Sequence, residues 1–151
     1  MQGQHSDPEA QGKAQQIARG TLRLLSQHAY FGLTEVTLAN GRRADIVALG
    51  PKGEIHLIEI KSSIADFRSD QKWPEYTPYC DRFYFAVNSD FPQDLIPNEV
   101  GLIIADAYGG AILREPVAFK LAAARRKAMT LKLARLASQR LTALDIPDLK
   151  T

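Results

Sequence analysis

"RRADIVALGPKGEIHLIEIKSS", Arg42 to Ser63, is two apolar runs joined by Gly50-Pro51-Lys52-Gly53. Ile46 to Leu49 on one side and Ile55 to Ile60 on the other are β-branched and leucine-rich, as interior strands are. A three-residue loop, Pro51-Lys52-Gly53 with Gly53 left-handed, makes Gly50 and Glu54 the closing pair of a hairpin. Counting inward from that pair sets Asp45 opposite Glu59 and Arg43 opposite Lys61. Opposed Cβ atoms on one sheet face lie about 4.5–5.5 Å apart. Two carboxylates that close, among apolar neighbours, raise each other's pKa. They call for a cation, since buried charge is expensive unless paired or metal-bound. Mg²⁺, with Mn²⁺ as a substitute, needs only one or two protein carboxylates beside water and phosphate oxygens. Asp45 and Glu59 are therefore candidate metal ligands. Lys61, where the strand ends, is placed to orient or deprotonate a water or to offset charge on a phosphorane-like transition state. The alternative is a cross-strand ladder of ion pairs among Asp45, Glu59, Arg43 and Lys61, costly in a sheet covered on both faces.

Working outward, Pro8 to about Ala29 has a helical stripe (Ile17, Leu24, Leu25), with Asp7 as a cap and Gly32 as the stop. Leu33–Ala39 alternates as a strand, and Asn40-Gly41 turns it into Arg42–Gly50. Ser63 with Asp66 three residues on is a capping-box-like start to a helix running to Pro74. Arg82–Asn88 and Gly101–Asp106 are further strands, and "AYGGAILRE" gives a turn and an edge strand. Lys120 to Leu144 is a long helix stopped by Pro147. The order predicts an α/β (α+β) fold: a mixed sheet with helices on both faces, built as helix, three-strand meander, helix, strands and a long C-terminal helix. Residues 1–13 read as a flexible polar tail, 14–145 as a single domain and 146–151 as a C-terminal tail.

Composition narrows the class. Cys80 is the only cysteine, so an internal disulfide is excluded and a reducing compartment is expected. No apolar run approaches the ~18 residues of a membrane span, and the N-terminus lacks signal-peptide order. A cytoplasmic protein with no membrane partner is expected. The net charge of +2 hides an asymmetry: Arg114 to Arg140 holds eight basic residues and one acid, Glu115. A basic C-terminal helix on an acidic body points to a polyanion, although solvated helices are also often basic. His5, His28 and His56 have no ligand spacing.

Asp45, a hairpin, then Glu59-Ile60-Lys61 in a helix–three-strand–helix frame resembles the PD-(D/E)XK nuclease superfamily, with Ala44 in place of the proline. "GRRADIVALG", "IEIKSSIADFRSDQKWPEYTPYCDRFYFAV", "GLIIADAYGG" and "AARRKA" together resemble the MmcB family of bacterial DNA repair proteins, over about Ala18 to Leu141. The resemblance implies a restriction-endonuclease-like core and a metal-dependent DNA endonuclease of the damage and translesion response. Its partners would be branched, gapped or single-stranded DNA and other repair proteins. It implies metal ligation by Asp45, Glu59 and the Ile60 carbonyl, with Lys61 catalytic. The superfamily often has a further acid before the core Asp; the first helix offers only Glu9, at its start, with Gln15 and Gln16 deeper in, and Glu35 on the first strand is a better placed alternative if that strand neighbours the second. The rival readings are a catalytically silent DNA-structure-binding module that recruits repair partners, and an RNA-directed nuclease.

Around this constellation, Arg42, Arg43, Arg68, Lys72, Arg125 and Arg126 are candidate DNA contacts. Trp73 and Tyr76 are candidate stacking surfaces for an unpaired base, or core aromatics. Asp66 and Asp70 read as solvent-facing or cap-related, with a water-mediated reach to the metal as the alternative.

Overall fold

The computed structural model describes residues 8–149. The elements are α1 (Pro8–Gln27), β1 (Phe31–Thr37), β2 (Arg43–Leu49), β3 (Ile55–Ile60), α2 (Ile64–Ser69), β4 (Arg82–Val87), β5 (Gly101–Ala105), β6 (Gly110–Arg114) and α3 (Ala123–Asp145). They form one six-stranded sheet in the order β1 to β6. The first three strands are an antiparallel meander, β3, β4 and β5 run parallel, and β6 returns antiparallel. The mixed α/β architecture expected from the sequence is the one observed.

Loop stereochemistry builds the meander. Gly53 takes φ +85, and the Gly50 N–H donates to the Glu54 carbonyl at 2.8 Å. That closing pair imposes the register Leu49↔Ile55 to Ile46↔Ile58, as read from "GPKG". At the other end of β2, Gly41 is also left-handed at φ +85, and Leu38 and Arg42 close the turn.

The sheet is covered on both faces. Ile17, Leu24 and Leu25 of α1 pack on Ile46, Ile58, Tyr84, Ala86 and Ile103. On the opposite face Phe83 stacks with Trp73 and Tyr76 at 6.0 Å and meets Phe85 edge-on at 5.2 Å. Phe67 of α2 and Met129 and Leu133 of α3 complete that layer. α1 crosses the β5–β6 turn so closely that a Cβ on Gly20 would lie 1.8 Å from the Asp106 carbonyl oxygen. Only a glycine fits there.

Several boundaries differ from the sequence reading. α1 ends at Gln27, with Ala29 at φ +62 and the Tyr30 N–H returning to the Leu25 carbonyl. Gly32 is thus inside β1 and does not stop the helix. Residues 8–13, assigned to a polar tail, are helical, while Asp7, His5 and the rest of 1–7 lie outside the described residues. α2 stops at Ser69, well before Pro74, and the chain continues as two short 3-10 turns, Trp73–Glu75 and Thr77–Tyr79. Among the described residues no helix is long and apolar enough to cross a membrane.

Candidate functional site

The β2–β3 ladder stops at Ile46↔Ile58, one residue short of the acids. Beyond it side chains replace main chain. The Asp45 N–H donates to Glu59 Oε1 at 3.0 Å, and the Ile60 N–H donates to Asp45 Oδ2 at 2.7 Å. Each carboxylate is stapled to the opposite strand, so the expected juxtaposition of Asp45 and Glu59 is present. The further pair, Arg43 with Lys61, is not formed, because the strands part: Lys61 donates its N–H to the Ala86 carbonyl on β4, and Arg43 is exposed.

The sheet also turns at this point. Ile46 packs in the α1 layer while Ala44, two residues away, packs in the opposite layer. Residues two apart on a regular strand share a face, so β2 rotates at Asp45. On β1, Thr34↔Ile46 and Val36↔Ala44 pair, but Glu35 does not pair with Asp45 and has φ +53. Left-handed backbone costs a non-glycine residue about 1–2 kcal/mol, and such strain concentrates where function needs an irregular strand. Arg140 of α3 donates to the Glu35 carbonyl at 3.1 Å and holds the irregularity. The parted strands open a groove of about 1060 Å³, lined by Gln15 and Arg19 of α1, by Arg42, Asp45, Glu59, Ile60 and Lys61, and by Asp66 and Asp70.

Burial makes the acids short of positive charge. Glu59 is 5% exposed, and burial, followed by the Asp45 charge, pushes its pKa up to about 9. Asp45 is raised by burial as well, against the opposing pull of the Ile60 N–H, Glu59 and Lys61. Such a pair holds either a shared proton or a cation. Two carboxylates and the adjoining Ile60 carbonyl are a hard-oxygen donor set that suits Mg²⁺ completed by water and phosphate. Glu35 does not join them: it lines the groove but is exposed, and among the described residues no three His, Cys, Asp or Glu side chains converge as a metal cluster.

Lys61 is 4% exposed, with its ammonium 3.8 Å from Asp66 and 3.9 Å from Asp70. The two aspartates therefore face the site rather than only solvent. Asp66 also closes the start of α2, its N–H donating to Ser63 Oγ at 3.0 Å and its Oδ2 accepting from the Ser62 N–H at 3.1 Å. The Ser63–Asp66 spacing signalled the cap, but nothing in one dimension signalled the ion pairs.

The remaining candidates separate. Arg42 lines the groove and is ion-paired with Glu75. Arg68 and Lys72 are exposed on and after α2, outside the groove lining. Arg125 is exposed over the Tyr79 ring at 4.5 Å. Arg126 grips Asp81 through two bonds of 2.6 and 2.8 Å and holds that carboxyl below its ordinary pKa. Tyr76 is 4% exposed and stacked on Phe83, and Trp73 is half-buried on the same ring. One face of each ring serves the core, the alternative the sequence also offered. Arg19 was missed as a groove residue, although its i, i+4 spacing from Gln15 beside Ala18 and Leu22 marks one helix face.

Comparison with known proteins adds the following. A family model described as "MmcB-like: DNA repair protein MmcB-like" matches residues 2–148. A solved structure, the SPO1766 protein of unknown function from Silicibacter pomeroyi, is 47% identical and aligns over 92% of this chain and 95% of its own, with a TM-score of 0.88. No curated protein matches the chain.

Proposed function

The chain belongs to the MmcB-like family of DNA repair proteins, and from that premise we propose that it is a metal-dependent phosphodiesterase acting on DNA. The observation that carries this reading is the buried Asp45–Glu59 pair, short of positive charge at the mouth of an open groove, with Lys61 beside it. The design matches the acid, acid-x-lysine arrangement of PD-(D/E)XK nucleases.

Asp45, Glu59 and the Ile60 carbonyl would hold Mg²⁺, or Mn²⁺ in its place. Bound there, the ion supplies Lewis acidity toward a phosphodiester and acidifies a coordinated water. Lys61 orients that water and offsets charge gathering on the phosphate oxygens. Asp66 and Asp70 hold the Lys61 ammonium in position. Arg19 of α1 and Arg42, ahead of β2, both line the groove and take flanking phosphates. Among the described residues no separate base-reading element accompanies the groove, which favours selection by DNA shape, among branched, gapped or single-stranded forms, or by a repair or translesion partner. A protein with these partners works at the nucleoid.

Cleavage of such DNAs by the purified protein in Mg²⁺ or Mn²⁺, blocked by EDTA and lost in Asp45→Ala and Lys61→Ala with binding retained, is the expected result. Preferential cleavage of RNA would redirect the proposal to an RNA substrate. A second reading has its own support: Lys61 is engaged by two aspartates, and among the described residues no third acid joins the pair as a metal cluster. A DNA-structure-binding module that recruits partners would bind equally in EDTA, cut nothing, and tolerate both substitutions.

A further inference from the structure

Arg42 stands where two depressions meet. One is the groove holding Asp45 and Glu59. The other is a cleft of about 510 Å³ lined by Asn40, Glu75, Tyr79 and Arg125, and Gly41 and Arg42 belong to both. Arg42 is occupied: its Nε donates to Glu75 Oε2, and Glu75 is fixed in turn by Asn40 Nδ2 donating to its main-chain carbonyl at 3.0 Å. This pair is solvent-facing, with side chains 28% and 51% exposed. Exposed ion pairs contribute about 0–1 kcal/mol, so an anion matched to the guanidinium replaces the glutamate at small cost. A phosphate diester is such an anion, since it offers two oxygens to the planar fork of donors. Further along the cleft, Arg125 is held over the Tyr79 ring at 4.5 Å and, among the described residues, makes no ion pair with an acid.

We propose that the Arg42–Glu75 pair is a phosphate gate, in which Glu75 occupies Arg42 until a DNA backbone phosphate exchanges for it. The strand then continues from the Asp45–Glu59 site through the cleft to Arg125. The proposal rests on the DNA reading above and adds the path and its guard. Arg42 immediately precedes β2 and stands three residues from Asp45, at most about 10 Å along the backbone at ~3.3 Å per residue. Gly41 at the hairpin tip has open space where a Cβ would stand, so no side chain from that position separates the two depressions.

The consequence is that removing an acid strengthens binding. Full-length protein in EDTA, where a metal-dependent enzyme cuts nothing, is titrated into fluorescein-labelled single-stranded and gapped DNA, with anisotropy read between 50 and 200 mM salt. Glu75→Gln is expected to bind about 2–5-fold tighter, with Glu75→Ala as the second variant. Arg42→Ala is expected to weaken binding, and Glu75→Gln added to Arg42→Ala to give no gain. An unchanged or weaker Glu75→Gln, or the same gain without Arg42, overturns the gate. Wild-type binding or cleavage with no response to Glu75 overturns the gate alone, whereas a wild type that binds no DNA overturns the gate and the DNA reading together.

Discussion

Replacing Glu59 by Gln removes the group that most burdens the metal-free fold. In the unfolded chain Glu59 releases its proton near 4.5, and in the fold near 9. Between those values the native state keeps a proton that the unfolded state has lost, so stability is full below about 4.5 and falls as pH rises toward 9. At pH 7 the difference is about 2.5 pH units, or roughly 3 kcal/mol at ~1.4 kcal/mol per unit. The amide keeps an oxygen to accept the Asp45 N–H, which now bonds Glu59 Oε1, and offers N–H groups toward the Asp45 carboxylate. In EDTA at pH 7 to 8, Glu59→Gln should therefore melt about 6–12 °C above the wild type, since ~1 kcal/mol moves a domain of this size by ~2–4 °C. At pH 5 the two curves should nearly meet. Mg²⁺ should raise the wild-type midpoint and leave the variant's unchanged. The assay is thermal unfolding followed by circular dichroism from pH 5 to 9, with EDTA or Mg²⁺. A variant no more stable than wild type at pH 8 in EDTA, or a gap constant across pH, would refute the reasoning.

Other outcomes follow from features away from the acids. His56 is buried between Tyr30 and Tyr84, with ring centroids at 4.2 and 5.5 Å, and burial followed by the Arg82 charge pushes its pKa down to about 4 from 6.5. Its contribution is full above 6.5 and is lost as pH falls toward 4, by up to about 3 kcal/mol, so His56→Phe should flatten that limb of the wild-type stability curve. Arg126→Ala should destabilise by about 1–3 kcal/mol through loss of the Asp81 clamp and leave the salt dependence of DNA binding unaltered; a shallower salt slope would show Arg126 to be a phosphate contact. In denaturant titrations Gly20→Ala should lose at least about 3 kcal/mol, because its Cβ meets main chain. Gly12→Ala, with nothing within 4 Å, should gain about 0.5–1 kcal/mol.

What the sequence disclosed depended on how local the determinant was. Gly53 and the residues around it state their turn in one dimension, and the Asp45–Glu59 juxtaposition follows from that turn by counting. The charge content of "GEIHLIEIK" was equally plain, because Glu59 and Lys61 interrupt an apolar run. The partners of Lys61 were not, since Asp66 and Asp70 reach it across the strand–helix junction. Trp73 and Tyr76 could be assigned to core or surface only once Phe83 was known to lie beneath both. Arg125 and Arg126 are neighbours with opposite fates, decided by Tyr79 and Asp81, each more than forty positions away. Helix ends misled where an unusual residue took the turn: Ala29, not a glycine, is left-handed after α1.

The reciprocal bonds between the two acids and the facing main chain join chemistry to mechanics. Whatever draws Asp45 and Glu59 together also tightens the seam between two strands, and whatever spreads them widens the aperture above. A cation drawn between the two carboxylates would therefore pull on the backbone hydrogen bonds as well as on the acids.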